Sequence, residues 1–142
     1  MEKRNLGNTG TKVGALGIGA MSFSDFYGPT NTQESHAILK MALDNGIDHI
    51  DTAKVYGMGL SEERIGQFLN TLNPKDRQFF KIATKGGIDR KNFDDKGTVV
   101  FDNSKEFLTE ELNNSLKRLG VECVELYYVH RREADRSIEE VT

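Results

Sequence analysis

Apolar positions along this chain alternate between short continuous runs and a three-to-four-residue spacing, and most changes fall at a glycine, an asparagine or a proline. Residues 1–12 carry two short segments around the turn signal Asn8-Thr9-Gly10 and predict a hairpin. Gly14-Ala15-Leu16-Gly17-Ile18-Gly19 reads as a glycine-rich strand that another backbone approaches closely. Asn31, with Glu34 three residues on, starts a helix on which Ala37, Ile38, Met41 and Ala42 recur at helical spacing, and Asn45-Gly46 ends it. Ile47 to Asp51 follows as a short strand. A second helix opens at Ser61, carries Ile65, Phe68, Leu69 and Leu72, and is stopped by Asn73-Pro74, after which Phe79 to Thr84 predicts a strand.

The polar stretch from Gly86 to Asn103 has no period and is long for a plain connection, which marks it as a functional loop. Ser104 then opens a helix with Leu108, Leu112, Leu116 and Leu119 on one stripe, closed by Gly120. Val124 to Val129 is a continuous apolar run, as expected of a parallel strand buried on both faces. Ser137-Ile138-Glu139-Glu140 repeats the capping-box pattern and predicts the beginning of a fourth helix. The order β-α-β-α-β-α-β requires parallel pairing through crossovers.

Composition narrows the class. Lys and Arg number 19 against 22 Asp and Glu in 142 residues, a net charge of −3 that argues against a nucleic-acid or anionic-membrane surface. The single cysteine, Cys123, excludes an intrachain disulfide framework and multi-cysteine zinc sites; it is expected to be an inert small hydrophobe. His36, His49 and His130 lack ligand spacing, so no metal site is expected. Val13 to Met21, the most apolar stretch, is too short and too glycine-rich to cross a bilayer. One soluble α/β domain, cytoplasmic in location, is the expectation.

Four polar residues share one topological address. Asp51 ends the second predicted strand of the alternation, Tyr56 lies in the loop after it, Lys85 ends the third and His130 ends the fourth. Ligands gather at the carboxyl ends of parallel strands, and neighbouring strands about 4.8 Å apart would bring these side chains into one site. A tyrosine that gives its proton to a developing alkoxide needs a pKa nearer neutrality than its usual value of about 10, and a lysine beside it, held by a carboxylate, works in that direction. A histidine over the substrate oxygen orients a carbonyl. Taken singly, each has a plainer role: a turn at Asp51-Thr52, a packed loop aromatic, a solvated lysine, a hydrogen-bonded strand-end histidine. Gly57-Met58-Gly59-Leu60-Ser61-Glu62 and Gly17-Ile18-Gly19-Ala20-Met21-Ser22 each fall one glycine short of a dinucleotide-loop fingerprint. His36 reads as exposed on its helix and His49 as a packing residue. Arg131 and Arg132 are able to draw an anion, though a solvated pair is the plainer reading.

The segment Gly46-Ile47-Asp48-His49-Ile50-Asp51-Thr52-Ala53-Lys54-Val55-Tyr56-Gly57 resembles the signature of the aldo-keto reductases, as does Gly59-Leu60-Ser61-Glu62-Glu63-Arg64-Ile65-Gly66. Thr84-Lys85-Gly86, Ser115-Leu116-Lys117-Arg118-Leu119-Gly120 and Leu126-Tyr127-Tyr128-Val129-His130-Arg131-Arg132 match further blocks in the same order, closest to the bacterial and plant branch carrying Tyr-Tyr-x-His-Arg. The resemblance implies a TIM (β/α)8 barrel that reduces aldehydes and ketones with NADPH. It implies Tyr56 as proton donor, Lys85 and Asp51 tuning it, and His130 orienting the substrate. It also implies that Gly19, Ala20 and Met21, with Asp51, contact the cofactor.

A barrel of this kind needs eight strands and about 250 residues, and four strands are predicted here. The expected fold is therefore the N-terminal half of such a barrel: one truncated domain over 1–142, with a hairpin at 1–12 and, over 13–142, four parallel strands, three helices and the start of a fourth. By the resemblance, loops beyond the fourth strand hold most of the cofactor. Self-association or a complementing C-terminal half is the expected partner beside a small carbonyl substrate. The alternatives are a non-catalytic interaction or regulatory fragment, a gene remnant and, remotely, a flavodoxin-like open sheet.

Overall fold

The computed structural model describes residues 1–93 and 99–141. An antiparallel hairpin, β1 (Lys3–Asn5) and β2 (Lys12–Gly14), turns through Gly7 and Gly10, both at positive φ, and extends to Gly14 rather than stopping at residue 12. The main sheet has four parallel strands in sequential order: β3 (Gly17–Gly19), β4 (His49–Asp51), β5 (Lys81–Gly86) and β8 (Leu126–Val129). Sequential parallel neighbours require a crossover between each pair, and helices supply them: α1 (Thr32–Asp44), α2 (Leu60–Asn70) and α4 (Lys105–Leu119).

The cap of α1 forms as the sequence predicts. Asn31 Oδ1 accepts the Glu34 N–H at 2.8 Å and Glu34 Oε2 accepts the Asn31 N–H at 3.1 Å. The buried face is rotated from the expected one, because Ser35, Leu39 and Ala42 point inward while Ile38 and Met41 are exposed. The core is built from Leu39, Ile50, Ile65, Leu69, Ile82 and Leu119, where the helices lie on the sheet.

Three further expectations change. Asn73-Pro74 opens a short helix, α3 (Pro74–Phe79), whose Asp76 N–H is accepted by the Asn73 side chain, rather than only ending α2. The polar stretch after Gly86 is not a plain loop but an antiparallel ribbon, β6 (Ile88–Phe93) and β7 (Val99–Phe101); residues 94–98 lie outside the described residues. Strand β8 is half-buried, with Tyr128 exposed, because among the described residues it pairs on one side only. The Ser137–Glu140 capping box does form, with both reciprocal bonds, around a turn.

Asp48 ties the hairpin to the sheet. Its carboxylate takes the Lys3 ammonium and, at 2.6 Å, the Gly14 N–H. Burial pushes this carboxyl up, but the two donors outweigh it and hold it below its ordinary value.

Candidate active site

The carboxyl ends of β4, β5 and β8 are stitched together by the main chain. Thr52 N–H donates to Ala83 O at 2.9 Å, Lys54 N–H to Lys85 O at 3.3 Å, and His130 N–H to Gly86 O at 2.8 Å. This stitching lays the loop after β4 across the end of β5 and fixes where Tyr56 starts. Tyr56 opens a short 3₁₀ turn (Tyr56–Gly59) in which Gly57, Met58 and Gly59 all have positive φ. Such a left-handed run is open to glycine and strained at Met58. A Cβ at Gly57 would meet Ser24 and Leu60 side chains at 2.9 Å, so the turn packs tightly beneath the tyrosine.

All four predicted residues come together. Lys85, with a side chain 14% exposed, is ion-paired with Asp51, donates to Thr52 O at 2.9 Å and donates to Tyr56 Oη at 3.2 Å. Its ammonium lies 5.0 Å from the Tyr56 ring centroid. The His130 ring stands edge-on to the Tyr56 ring, with centroids 5.9 Å apart at 88°. Among the described residues, His130 Nδ1 is buried without a hydrogen-bond partner. Burial, then the positive charges of Lys85 and Arg131, hold the His130 imidazole below its ordinary pKa, against a smaller opposing pull from Asp51. The imidazole is therefore biased toward its neutral form. Beside Tyr56 and His130 opens a cavity of about 350 Å³ that also touches Met21, Phe26, Arg90 and Arg131.

The cofactor segment divides. Gly19 lies beside Asp51 in the β3–β4 register, and a Cβ there would meet nothing within 4 Å, so the strand end is open. Met21 lines the cavity. Ala20 is the exception: it is 0% exposed and its carbonyl accepts the Ser61 hydroxyl at 2.8 Å, so it faces the interior instead of a ligand.

Sequence reasoning missed the supports behind the four. Ser61 does not cap α2, whose N-cap is Gly59; it is buried and also bonded to Thr52 Oγ1 at 2.9 Å, linking the ends of β3 and β4. Thr52 in turn offers Lys85 its carbonyl. Buried Glu62 takes Thr84 Oγ1 at 2.6 Å and Arg118 Nε at 2.7 Å. Lys54 pairs with Glu111 at 2.6 Å beneath the ribbon. The signal was present in the polar residues that open α2, where Ser61 and Glu62 stand at positions facing the sheet rather than solvent. His36 also departs from expectation: it is half-buried, bonded through Nε2 to Arg64 O at 3.0 Å and set against Phe68. His49 packs as expected, its Nδ1 3.1 Å from Lys81 O. Cys123 is exposed, not buried. Among the described residues no cluster of histidine, cysteine or carboxylate side chains is suited to a metal, and no helix is long and apolar enough to cross a membrane.

Four sequential parallel strands with crossover helices, and a polar cluster at their carboxyl ends, define a chain of the (β/α)-barrel class, with half the strands of a TIM barrel. Residues 15–142 match the model of the Aldo/keto reductase family, and the chain belongs to that family of oxidoreductases. It is 34% identical over 138 residues to the aldo-keto reductase yakc of Schizosaccharomyces pombe, whose name specifies NADP(+); the match covers 97% of this chain and 39% of that protein. It is also 34% identical over 140 residues to a probable voltage-gated potassium channel subunit beta of Arabidopsis thaliana, covering 99% of this chain and 40% of that one. Among solved structures, the aldo-keto reductase AKR11C1 from Bacillus halodurans in its holo form superposes with a TM-score of 0.81 at 33% identity, covering 99% of this chain and 44% of that chain. The chain thus spans about 40% of the length of the curated relatives it matches.

Proposed function

We propose that the protein carrying this chain reduces aldehyde and ketone carbonyls to alcohols with NADPH, and that Asp51, Tyr56, Lys85 and His130 perform the proton chemistry. One observation carries the reading: Lys85 is bound at once to Asp51 and to Tyr56 Oη, which suits a phenol that must release its proton. Tyr56 gives its proton to the substrate oxygen, and the Lys85 ammonium, by donating to the phenol oxygen, stabilises the phenolate left behind. Asp51 and the Thr52 carbonyl hold the ammonium in place. His130, half-buried and biased to neutrality, lines the cavity beside Tyr56, and a carbonyl oxygen accepting from its ring would be oriented toward Tyr56.

The open strand end at Gly19, with Met21 and Asp51, fits the ribose side of a nicotinamide, with Ala20 behind them. When bound, NADPH supplies the hydride that the carbonyl carbon takes. Preference for NADPH is supported by the yakc relative's name. Tyr56→Phe should lower NADPH oxidation with an aromatic aldehyde by about 10²-fold or more, the usual scale for losing a general acid. Unchanged turnover would sink the assignment.

Two observations favour a second reading, a protein that docks on a partner: the channel-subunit relatives, and the edges of β3 and β8, open among the described residues, with exposed Ile38 and Met41 on α1. In that reading the partner is a second copy or a complementing half of the barrel, and sedimentation of the chain decides it. A stable monomer that binds no apolar dye rejects it.

A further inference from the structure

We infer that the substrate of this site is a carbonyl compound bearing an anionic group, a carboxylate or a phosphate, held by Arg90 and Arg131. The inference rests on the reductase reading and adds the substrate's chemical class to it.

The cavity beside Tyr56 combines two kinds of surface. Val55, Ile88 and Phe101 give it apolar walls, and Arg90 and Arg131, both exposed residues, belong to the same lining. No carboxylate lines it among the described residues. Asp51, the carboxylate of the four-residue cluster, is already paired with Lys85, and no carboxylate within the described lining faces the two arginines. Guanidinium groups match carboxylate and phosphate oxygens with paired, charge-assisted hydrogen bonds. A volume of about 350 Å³ lies at the small end of ligand sites and suits a compact acid rather than a long chain.

The main chain of Arg131 is held in place. Asn103, 1% exposed, donates from Nδ2 to Arg131 O at 3.0 Å and accepts the Glu133 N–H at 2.8 Å, which clamps the loop after β8. Arg90 comes from the other wall, on β6. Both guanidiniums act on the His130 imidazole on the same lining, since Arg131 and Arg90 are each among the charges that depress it, after burial and Lys85. A neutral substrate leaves that positive field unanswered; an anionic one neutralises it while its carbonyl lies near Tyr56.

The same anion chemistry is present in the cofactor's phosphates, so the test separates the two sources. NADPH-dependent turnover of 4-carboxybenzaldehyde and of benzaldehyde is compared in wild type, R90Q, R131Q and R131K. In wild type kcat/KM should favour the carboxylate aldehyde by about tenfold or more, through KM. R131Q should bring that ratio close to one and R131K should restore part of it. Equal values for the two aldehydes in wild type would overturn the proposal. So would an R131Q effect that raises the KM for NADPH and leaves the aldehyde ratio in place, because the arginine would then serve the cofactor. Calorimetric titration of wild type with benzoate and with benzamide needs no turnover: benzoate should bind about tenfold more tightly, and equal binding overturns the anion site. Benzoate preference in a protein whose aldehyde turnover is absent, or indifferent to Tyr56→Phe, would instead overturn the reductase reading alone.

Discussion

Lys85 carries three interactions at one nitrogen, all from the segment that leaves β4: Asp51 at its end, the Thr52 carbonyl next to it, and the Tyr56 hydroxyl in the following turn. These residues were legible in sequence because side chains at the carboxyl ends of consecutive parallel strands have one place to go. Ser61 was not, because a serine before an acidic pair reads as a cap, and only the packed neighbours Ala20 and Thr52 show that its hydroxyl points inward. His130 yields a prediction at this scale. Its folded pKa lies below the unfolded value of about 6.5, so the unfolded chain binds more protons between the two values and stability falls as pH drops through that window. An NMR titration of the ring should therefore show a midpoint below 6.5, and R131Q should raise it. A midpoint at or above 6.5 would contradict the burial and cationic surroundings described.

At the scale of elements, two contacts decide how the pieces meet. Asp48 anchors the hairpin through Lys3 and the Gly14 N–H, and its side chain is only 5% exposed. Asp48→Ala leaves that N–H without its acceptor and should cost about 1–3 kcal/mol in chemical denaturation at neutral pH. The Asp48 carboxyl is depressed in the fold, so its contribution is present above the unfolded value and is lost as pH falls through the folded one; the gap between wild type and variant should close in acid. Where α2 crosses α4, a Cβ on Gly66 would run into the Arg118 carbonyl and the Leu119 backbone. Gly66→Ala should thus lower stability by about 1–3 kcal/mol despite alanine's better helix propensity, and a raised melting temperature would show that the helices simply move apart.

Helix starts were readable from local rules, as Asn31 with Glu34 and Ser104 with Phe107 show. Helix faces were less so. On α1 the apolar residues Ile38 and Met41 lie outside while Ser35 is buried, and on α4 the buried positions are Glu111, Ser115 and Leu119, with Lys54 paired to Glu111 and Arg118 bonded to Ser115. An apolar stripe reports the core only where polar residues on the same helix lack partners inside.

Across the whole molecule, β3 and β8 are the edge strands of the main sheet, unpaired on their outer sides among the described residues, and Ile38 and Met41 expose apolar surface on the outer helix α1. Unpaired edges and apolar patches favour association. Sedimentation of the 142-residue chain should show self-association that weakens when Ile38 and Met41 are replaced by glutamate. A monomer at all concentrations would remove the support for self-association.

The alternation of apolar runs and helical spacing, with its caps and breakers, was enough to determine the order of the four parallel strands and three crossover helices and the strand-end positions of Asp51, Lys85 and His130, with Tyr56 in the loop after Asp51, because those features depend on neighbours within a few residues. The tertiary structure decided what depends on distant ones: that Ser61 and Glu62 face the sheet, that Ala20 is buried, that the stretch after Gly86 folds into a ribbon bringing Arg90 to the same cavity as Arg131. Contacts between segments 40 residues apart leave no periodic trace in the chain, and only packing shows which polar side chains find partners inside.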